Sequence, residues 1–114
     1  MSYSKKEALE LWVREMGDKE YSYDFTGRKI KRDDYLENNQ VGWVISFVKP
    51  LSLGGKATAD NAIILHHLTN EEKGDHFPIF TARSRTYEIK YDKGHDFHYI
   101  EIIIEEDEED KYFI

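Results

Sequence analysis

Apolar residues near the start of the chain recur at the spacing of one helix face. They are Leu9, Trp12, Val13 and Met16. Ser4 and Glu7 form a capping box before them, and Gly17 offers a stop behind them. The pattern predicts an amphipathic helix over residues 5–16. Its apolar stripe is expected to pack into the domain's own core, with a partner surface as the alternative.

The middle of the chain alternates between turn-rich and apolar segments. Aromatic residues alternate at positions 21–25 before Gly27, which indicates a short hairpin, and residues 41–48 (VGWVISFV) are typical of a buried strand. Asp60 or Asn61 then predicts the cap of a second helix. The apolar run 63–65 would form part of its buried face up to Lys73.

The last third of the chain is rich in aromatic and β-branched residues, which favour strands. Three strands are predicted, at residues 77–82, 86–91 and 97–105. The fold class expected is therefore α+β. It would be one domain over residues 1–114, with an N-terminal helix, a mixed centre, C-terminal antiparallel strands at about 77–105 and an acidic tail at 105–114.

The composition excludes several kinds of site and partner. The 114 residues carry 16 Lys and Arg against 23 Asp and Glu, a net charge of −7, and no Cys. Absence of Cys excludes disulfides, a thiolate zinc site and a cysteine nucleophile, and cytoplasmic localisation is expected. No apolar stretch is long enough for a secretion signal or a membrane span, so no membrane partner is expected. The acidic balance disfavours nucleic acid, and a protein partner is expected instead.

The central stretch 42–75 resembles the HNH endonuclease family, whose fold is a ββα-metal finger. The similarity rests on an ordered set of features: Trp43, Pro50, Gly54-Gly55, Asn61, and Asn70 with Lys73 and Gly74 behind it. It extends upstream to residues 23–28 (YDFTGR), which are similar to the first knuckle turn of HNH proteins. It covers about residues 21–76. The resemblance implies that the centre of the fold is an HNH-like ββα finger.

The resemblance fails where the family carries its chemistry. Family members have an Asp-His pair before the proline, and this chain has Ser46-Phe47 there. In the family the Asp and the last Asn or His hold a divalent metal, while the His takes a proton from the attacking water. Phe47 cannot accept a proton, and Ser46 is at best a weak neutral ligand. No confident catalytic residue remains.

Three motif residues are retained. The resemblance implies that Asn61 fixes the loop around the base, and that Asn70 occupies the last metal-ligand position with Lys73 behind it. The alternatives are that Asn61 caps a helix and that Asn70 is a polar residue at a helix end. Zinc-binding members of the family have cysteines near the positions of Tyr23, Thr26, His66 and Thr69.

The remaining candidates are histidines and a basic run. His66 could share a metal with Asn70, but adjacent residues on a helix point about 100° apart, so His67 would then be excluded. The expected alternative is that one of the two imidazoles is packed and the other is exposed. His76 is a candidate only for a metal cluster formed together with His66 and His67. His95 and His98 are expected to be structural or surface residues.

The basic residues Arg28, Lys29, Lys31 and Arg32 are expected to be a solvated surface, because Asp33 and Asp34 follow them at once, with phosphate binding as the alternative.

Three functions remain open. The first is a catalytically disabled HNH-like domain that serves as a binding or regulatory scaffold. The second is an active metal-dependent endonuclease with a rearranged site, which would need a divalent metal. The third is an acidic inhibitor or immunity-type protein that binds a basic partner through its tail. The first is expected, which implies neither enzymatic activity nor a resident cofactor. No residue indicates an oligomeric state.

Overall fold

A computed structural model of the protein describes residues 3–104. Two helices and seven strands lie in this range: α1 (Lys5–Met16), β1 (Tyr21–Tyr23), β2 (Lys29–Lys31), β3 (Trp43–Phe47), β4 (Ala62–His66), α2 (His67–Lys73), β5 (Ile79–Ala82), β6 (Arg85–Asp92) and β7 (Phe97–Ile102). The α+β class, the N-terminal helix and the C-terminal antiparallel strands are confirmed. Neither of these two helices has the length and apolar content needed to cross a bilayer.

Helix α1 forms where the sequence predicts it. The Ser4 hydroxyl accepts the Glu7 N–H at 3.1 Å and the Glu7 carboxylate accepts the Ser4 N–H at 3.0 Å, which completes the capping box. These bonds hold the pKa of Glu7 below its usual range. The buried face of α1 consists of Ala8, Leu11 and Trp12. Of the predicted stripe, Trp12 is fully buried and Met16 packs against the core, whereas Val13 is 52% exposed, so the prediction that the whole stripe faces the core is wrong at Val13.

The strands form three small antiparallel sheets. β1 pairs with β2, β3 pairs with β4, and β5, β6 and β7 form a three-stranded meander. Trp43 pairs with His66 at one end of the β3–β4 pair and Phe47 pairs with Ala62 at the other. Because α2 begins directly after β4, the order along the chain at the centre of the fold is strand, strand, helix.

The predicted second helix is wrong over its first half. Residues 62–66 are strand β4, and α2 occupies only His67–Lys73. The cause is that β4 is covered on both faces: Ile64 packs in a core with α1, whereas Ile63 packs against the core of the C-terminal sheet. A strand covered on both faces shows a continuous apolar run, which periodicity alone does not distinguish from a buried helix.

Two hydrophobic cores flank the β3–β4 pair. The first joins α1 to the central strands and consists of Ala8, Leu11, Trp12, Ile30, Trp43 and Ile64. The second joins the central strands to the C-terminal sheet and consists of Val48, Phe80, Ala82, Tyr87 and Ile89. The central unit is therefore held from both sides. Residues 105–114, which include the end of the third predicted C-terminal strand and the acidic tail, lie outside the described residues.

Candidate functional site

A groove of about 320 Å³ opens beside strand β3 and helix α2. Ser46 and Phe47 line it from the strand, and Asn70 lines it from the helix. Pro50, Leu51 and Ser52 form a further wall, and Gly74 and Asp75 close the end below α2. The structure thus brings Ser46 and Phe47, where the resemblance expects an Asp-His pair, together with Asn70, although 23 or more residues separate them from it along the chain.

The back of the groove is tied together by a buried lysine. Lys73 is 1% exposed, and its Nζ donates a hydrogen bond to the Phe47 carbonyl oxygen at 3.1 Å. The same amine lies 5.6 Å from the centre of the Phe80 ring. Burial lowers the pKa of Lys73, and the Asp75 carboxylate opposes that shift. Lys73 therefore connects α2 to the strand behind the groove instead of presenting a charge to its opening.

Asn61 closes the long loop between β3 and β4. Its Oδ1 accepts the Lys49 N–H at 3.0 Å, and its Nδ2 donates to the carbonyls of Lys49 at 3.0 Å and Lys56 at 2.9 Å. The residue is 7% exposed and lies six positions before α2 begins, so it does not cap that helix. Of the two interpretations that the sequence allows, the geometry agrees with fixing of the loop.

The turn between β1 and β2 is organised by one carboxylate. Asp24 is 6% exposed. Its Oδ1 accepts the N–H of Thr26 at 2.9 Å, the hydroxyl of Thr26 at 2.6 Å and the N–H of Arg28 at 3.1 Å. Its Oδ2 accepts the N–H of His66 at 3.1 Å. Asp24 thus fastens the hairpin to the junction of β4 and α2.

A second layer of polar contacts joins the hairpin to α2. The hydroxyls of Thr26 and Thr69 lie 3.3 Å apart, and Nη1 of Arg28 donates to Thr69 Oγ1 at 3.0 Å. Arg28 also forms an ion pair with Glu72, and this hydrogen bond lowers the pKa of Glu72. Arg83 continues the contacts into the C-terminal sheet, donating from Nη1 to the Thr26 carbonyl at 3.0 Å.

The residues that the resemblance places near zinc-binding cysteines lie around this region, but their chemistry does not fit zinc. Thr26 and Thr69 contribute hydroxyls, which are not zinc's preferred ligands, and Tyr23 is 58% exposed. His66 contributes its backbone N–H to Asp24. Hydrogen bonds and the Arg28 ion pair join the hairpin to α2 here, and no zinc chemistry follows from this donor set.

The histidine pair does not face the groove. His66 ends β4 and serves as the N-cap of α2, because its Nδ1 accepts the Leu68 N–H at 3.0 Å. Its Nε2 lies 2.9 Å from the Gln40 carbonyl, and Nε2 of His67 lies 2.6 Å from the Asn39 carbonyl. The two rings stack with centroids 4.5 Å apart, so the predicted divergence of 100° along a helix is wrong.

The other histidines are also separate from this pair. His76 bonds to the Lys73 carbonyl at the opposite end of α2. His66 is buried and His67 is half-buried. Asn70 lines the groove, whereas His66 does not, so the structure does not bring the two proposed metal ligands together in the groove. Within residues 3–104, no three His, Asp or Glu side chains form a group that could hold a metal ion.

The basic run has mostly internal partners. Its ion pairs are Arg28–Glu72, Lys31–Glu20 at 4.0 Å and Arg32–Asp33 at 3.3 Å. Lys29 lies over the Tyr21 ring, 4.5 Å from its centre. These contacts neutralise much of the positive charge that a phosphate-binding hairpin would present.

Sequence reasoning missed two polar residues of this region. Asp24 stands two residues before Thr26 and four before Arg28, a spacing that suits a carboxylate accepting bonds from its own turn. Asp75 lines the groove, and its Oδ2 lies 3.2 Å from the Ser52 hydroxyl. Of these two residues, only Asp24 could have been predicted from the residues beside it in the chain.

Comparison with known proteins adds no relative. No protein-family model, curated protein or solved structure matches the chain.

Proposed function

We propose that the chain is a catalytically disabled HNH-endonuclease-like domain that serves as a binding or regulatory scaffold. One observation carries the proposal: Ser46, Phe47 and Asn70 line a single groove at a strand–strand–helix unit. Those are the positions at which the resemblance expects the metal ligands and the general base. The three positions share one groove, as the resemblance expects, but Ser46 and Phe47 do not have the side chains that metal binding and proton transfer need.

The chemistry of the two substituted positions argues against hydrolysis. A phenylalanine ring takes no proton from water, and losing a general base costs about 10²-fold to 10⁴-fold in rate. A serine hydroxyl is neutral, whereas hard divalent cations prefer carboxylate oxygens. Phe47 lines the groove but is only 8% exposed, so most of its ring is packed against the protein.

The groove is held by residues other than the substituted pair. Trp43 is fully buried in the first core and donates its Nε1–H to the Lys31 carbonyl at 2.8 Å. Asn61 fixes the loop and Lys73 fixes the helix to the strand. None of these hydrogen bonds uses the Ser46 or Phe47 side chain, so they do not depend on a catalytic pair at these positions.

We infer that the partner is a protein and that the chain acts in the cytoplasm. The net charge is −7, and the basic hairpin that could approach phosphates is largely paired with acidic neighbours. Surfaces that bind nucleic acid concentrate unpaired Lys and Arg on one face. The charge distribution therefore supports a protein partner over nucleic acid.

A cleavage assay tests the loss of chemistry. Plasmid DNA is incubated with the natural protein and with the double variant S46D/F47H across magnesium, manganese, nickel and zinc. We expect no cleavage by the natural protein and metal-dependent cleavage by the double variant, with S46A/F47A as the matched inactive control. Cleavage by the natural protein that disappears in Asn70→Ala would refute the proposal.

A rearranged metal site is the second candidate, and one observation favours it. The Asp75 carboxylate lines the same groove as Asn70, which places a hard oxygen ligand near the family's metal position. Millimolar manganese should then raise the melting temperature of the natural protein but not of Asp75→Asn. No shift in the natural protein argues against this candidate.

The acidic-inhibitor candidate depends on residues 105–114. Six acidic residues and one lysine lie there, whereas residues 3–104 carry 17 acidic and 15 basic groups. The tail therefore holds most of the net charge. If a basic protein partner is bound through it, deletion of residues 105–114 abolishes the association, and the association of the full chain weakens as salt rises. Tail-independent binding contradicts this candidate.

A further inference from the structure

A second concave site lies on the other side of the β3–β4 loop. It is a cavity of about 160 Å³ between that loop and the turn that joins β6 to β7. Lys49, Lys56 and Thr58 line it from the loop, and Phe97 and His98 line it from β7. Cavities of roughly 150 Å³ hold a molecule about the size of benzene. The volume is therefore sufficient for a small group.

The loop brings the two lysines together through a single side chain. The Asn61 amide donates to the carbonyl oxygens of both Lys49 and Lys56, so one buried group holds both backbones beside the cavity. Gly55 permits this close return of the chain, because a Cβ there would lie 1.9 Å from the Lys49 carbonyl oxygen. The two ammonium groups thus belong to a fixed loop.

In the part of the chain that the structure describes, the cavity has two cations without a carboxylate partner, Lys49 and Lys56, against one carboxylate without a cation partner, Asp96. Two carboxylates stand at its edge, but Asp60 lies 3.4 Å from Arg14 Nη2 and Asp96 accepts the Tyr91 hydroxyl at 2.5 Å. Among the described residues, neither Lys49 nor Lys56 has a carboxylate within 4.0 Å. An anionic ligand would supply the missing partner.

His98 lines the cavity and is close enough to its charged groups for them to act on its pKa. Burial lowers the pKa of His98, the nearby Lys49 ammonium lowers it further, and Asp96 opposes the shift. The ring also contacts the aromatic rings of Tyr91, at 4.9 Å, and Phe77, at 6.4 Å. An anion bound beside Lys49 would favour the protonated imidazole, so His98 is a built-in probe of occupancy.

We propose that this cavity binds a small oxyanion, a phosphate or carboxylate group, between Lys49 and Lys56 and beside the lining residues Phe97 and His98. The site is separate from the groove that contains Ser46 and Asn70, and its occupancy does not depend on whether the groove is catalytic. Occupancy would rigidify the loop that forms one wall of that groove.

The test uses inorganic phosphate and acetate as separate probes on the full chain. Binding is followed by calorimetry and by the NMR resonance of the His98 ring. We expect saturable binding of at least one of the two anions at one site per chain, with a rise in the His98 pKa. Lys49→Gln and Lys56→Gln should each weaken binding by about tenfold, the effect of removing one charge-assisted hydrogen bond. Lys19→Gln, which removes an exposed charge elsewhere, should leave binding unchanged.

Three results would overturn the proposal. The first is that neither anion shifts the His98 resonance in a saturable way. The second is that all three lysine variants weaken binding equally, which would indicate general charge attraction. The third is that a single-stranded oligonucleotide shifts the His98 resonance while free phosphate and acetate do not, since the ligand would then be a nucleic acid and not a small anion. Unfolding curves of each variant show that the loss is not a loss of fold.

Discussion

The role of Asn61 can be tested by two substitutions that separate closing a loop from capping a helix. Asn61→Ala removes three hydrogen bonds of 2.9–3.0 Å from a residue that is 7% exposed. Each contributes about 0.5–1.5 kcal/mol net, and buried partners left unpaired add to the loss. We expect the free energy of unfolding to fall by about 2–4 kcal/mol, a large part of the stability of a small domain.

Asn61→Asp gives the sharper distinction. Asp and Asn are about equally good helix caps, so a capping role predicts little change. In the structure, however, Nδ2 donates to two carbonyl oxygens, and a carboxylate oxygen in its place would face both of them without a hydrogen. We expect Asn61→Asp to be at least as destabilising as the alanine variant at pH 7, and less so when acid protonates the new carboxyl.

Urea unfolding monitored by tryptophan fluorescence provides the measurement. Asp60→Ala is the matched control, because Asp60 is next to Asn61 in the chain and its side chain makes only an exposed contact with Arg14. We expect this variant to change the free energy of unfolding by less than about 0.5 kcal/mol. If Asn61→Asp is as stable as the natural protein while Asn61→Ala is not, the loop interpretation is refuted and a capping role is supported.

Three further predictions follow from buried contacts. Burial lowers the pKa of Lys73, so the folded protein loses this proton at a lower pH than the unfolded chain does. The free energy of unfolding should therefore rise as pH increases toward about 10. Lys73→Met should remove that rise in urea unfolding measured from pH 7 to 10. Asp24→Ala removes four hydrogen bonds to a carboxylate and should cost at least about 3 kcal/mol, whereas exposed Asp33→Ala should cost less than about 0.5 kcal/mol by the same assay. Gly55→Ala forces a Cβ into a backbone carbonyl and should lower the melting temperature by several degrees, whereas Gly94→Ala meets only an ordinary contact at 3.5 Å and should change it little.

The parts of the fold that the sequence predicts are those with local causes. Helix α1 is predicted because its cap, its apolar stripe and its stop all lie within 14 residues. The hairpin at β1 and β2 and the C-terminal meander are predicted because short strands alternate with turn residues. In each case neighbours along the chain supply the decisive contacts.

The parts that the sequence does not predict have distant causes. The run Ile63 to Leu65 suits a helix or a strand, and the choice is made by pairing with β3 and by cores on both faces. Asp24 reaches His66 across 42 positions, so a sequence pattern reveals its bonds within the turn but not its bond to the central unit. The stacked histidine rings follow from the same boundary, because a residue that ends a strand does not share the angular spacing of a helix.

The hydrogen bonds that hold the groove come from Lys73 and Trp43, whereas Ser46 and Phe47 line it. This difference bears on why positions 46 and 47 lack the Asp-His pair that the resemblance expects. Lys73 supports β3 through the Phe47 carbonyl, a backbone atom that any residue at this position provides. Trp43 anchors the start of the same strand through the Lys31 carbonyl. Neither contact selects for a particular side chain at positions 46 and 47. Folding favours an apolar side chain at Phe47, which is 8% exposed, but places no such demand on half-buried Ser46, whereas hydrolysis would require particular side chains at both positions. A serine and a phenylalanine at these two positions agree with a groove that is kept for its shape, and the S46D/F47H variant changes its chemistry while leaving the Lys73 and Trp43 hydrogen bonds in place.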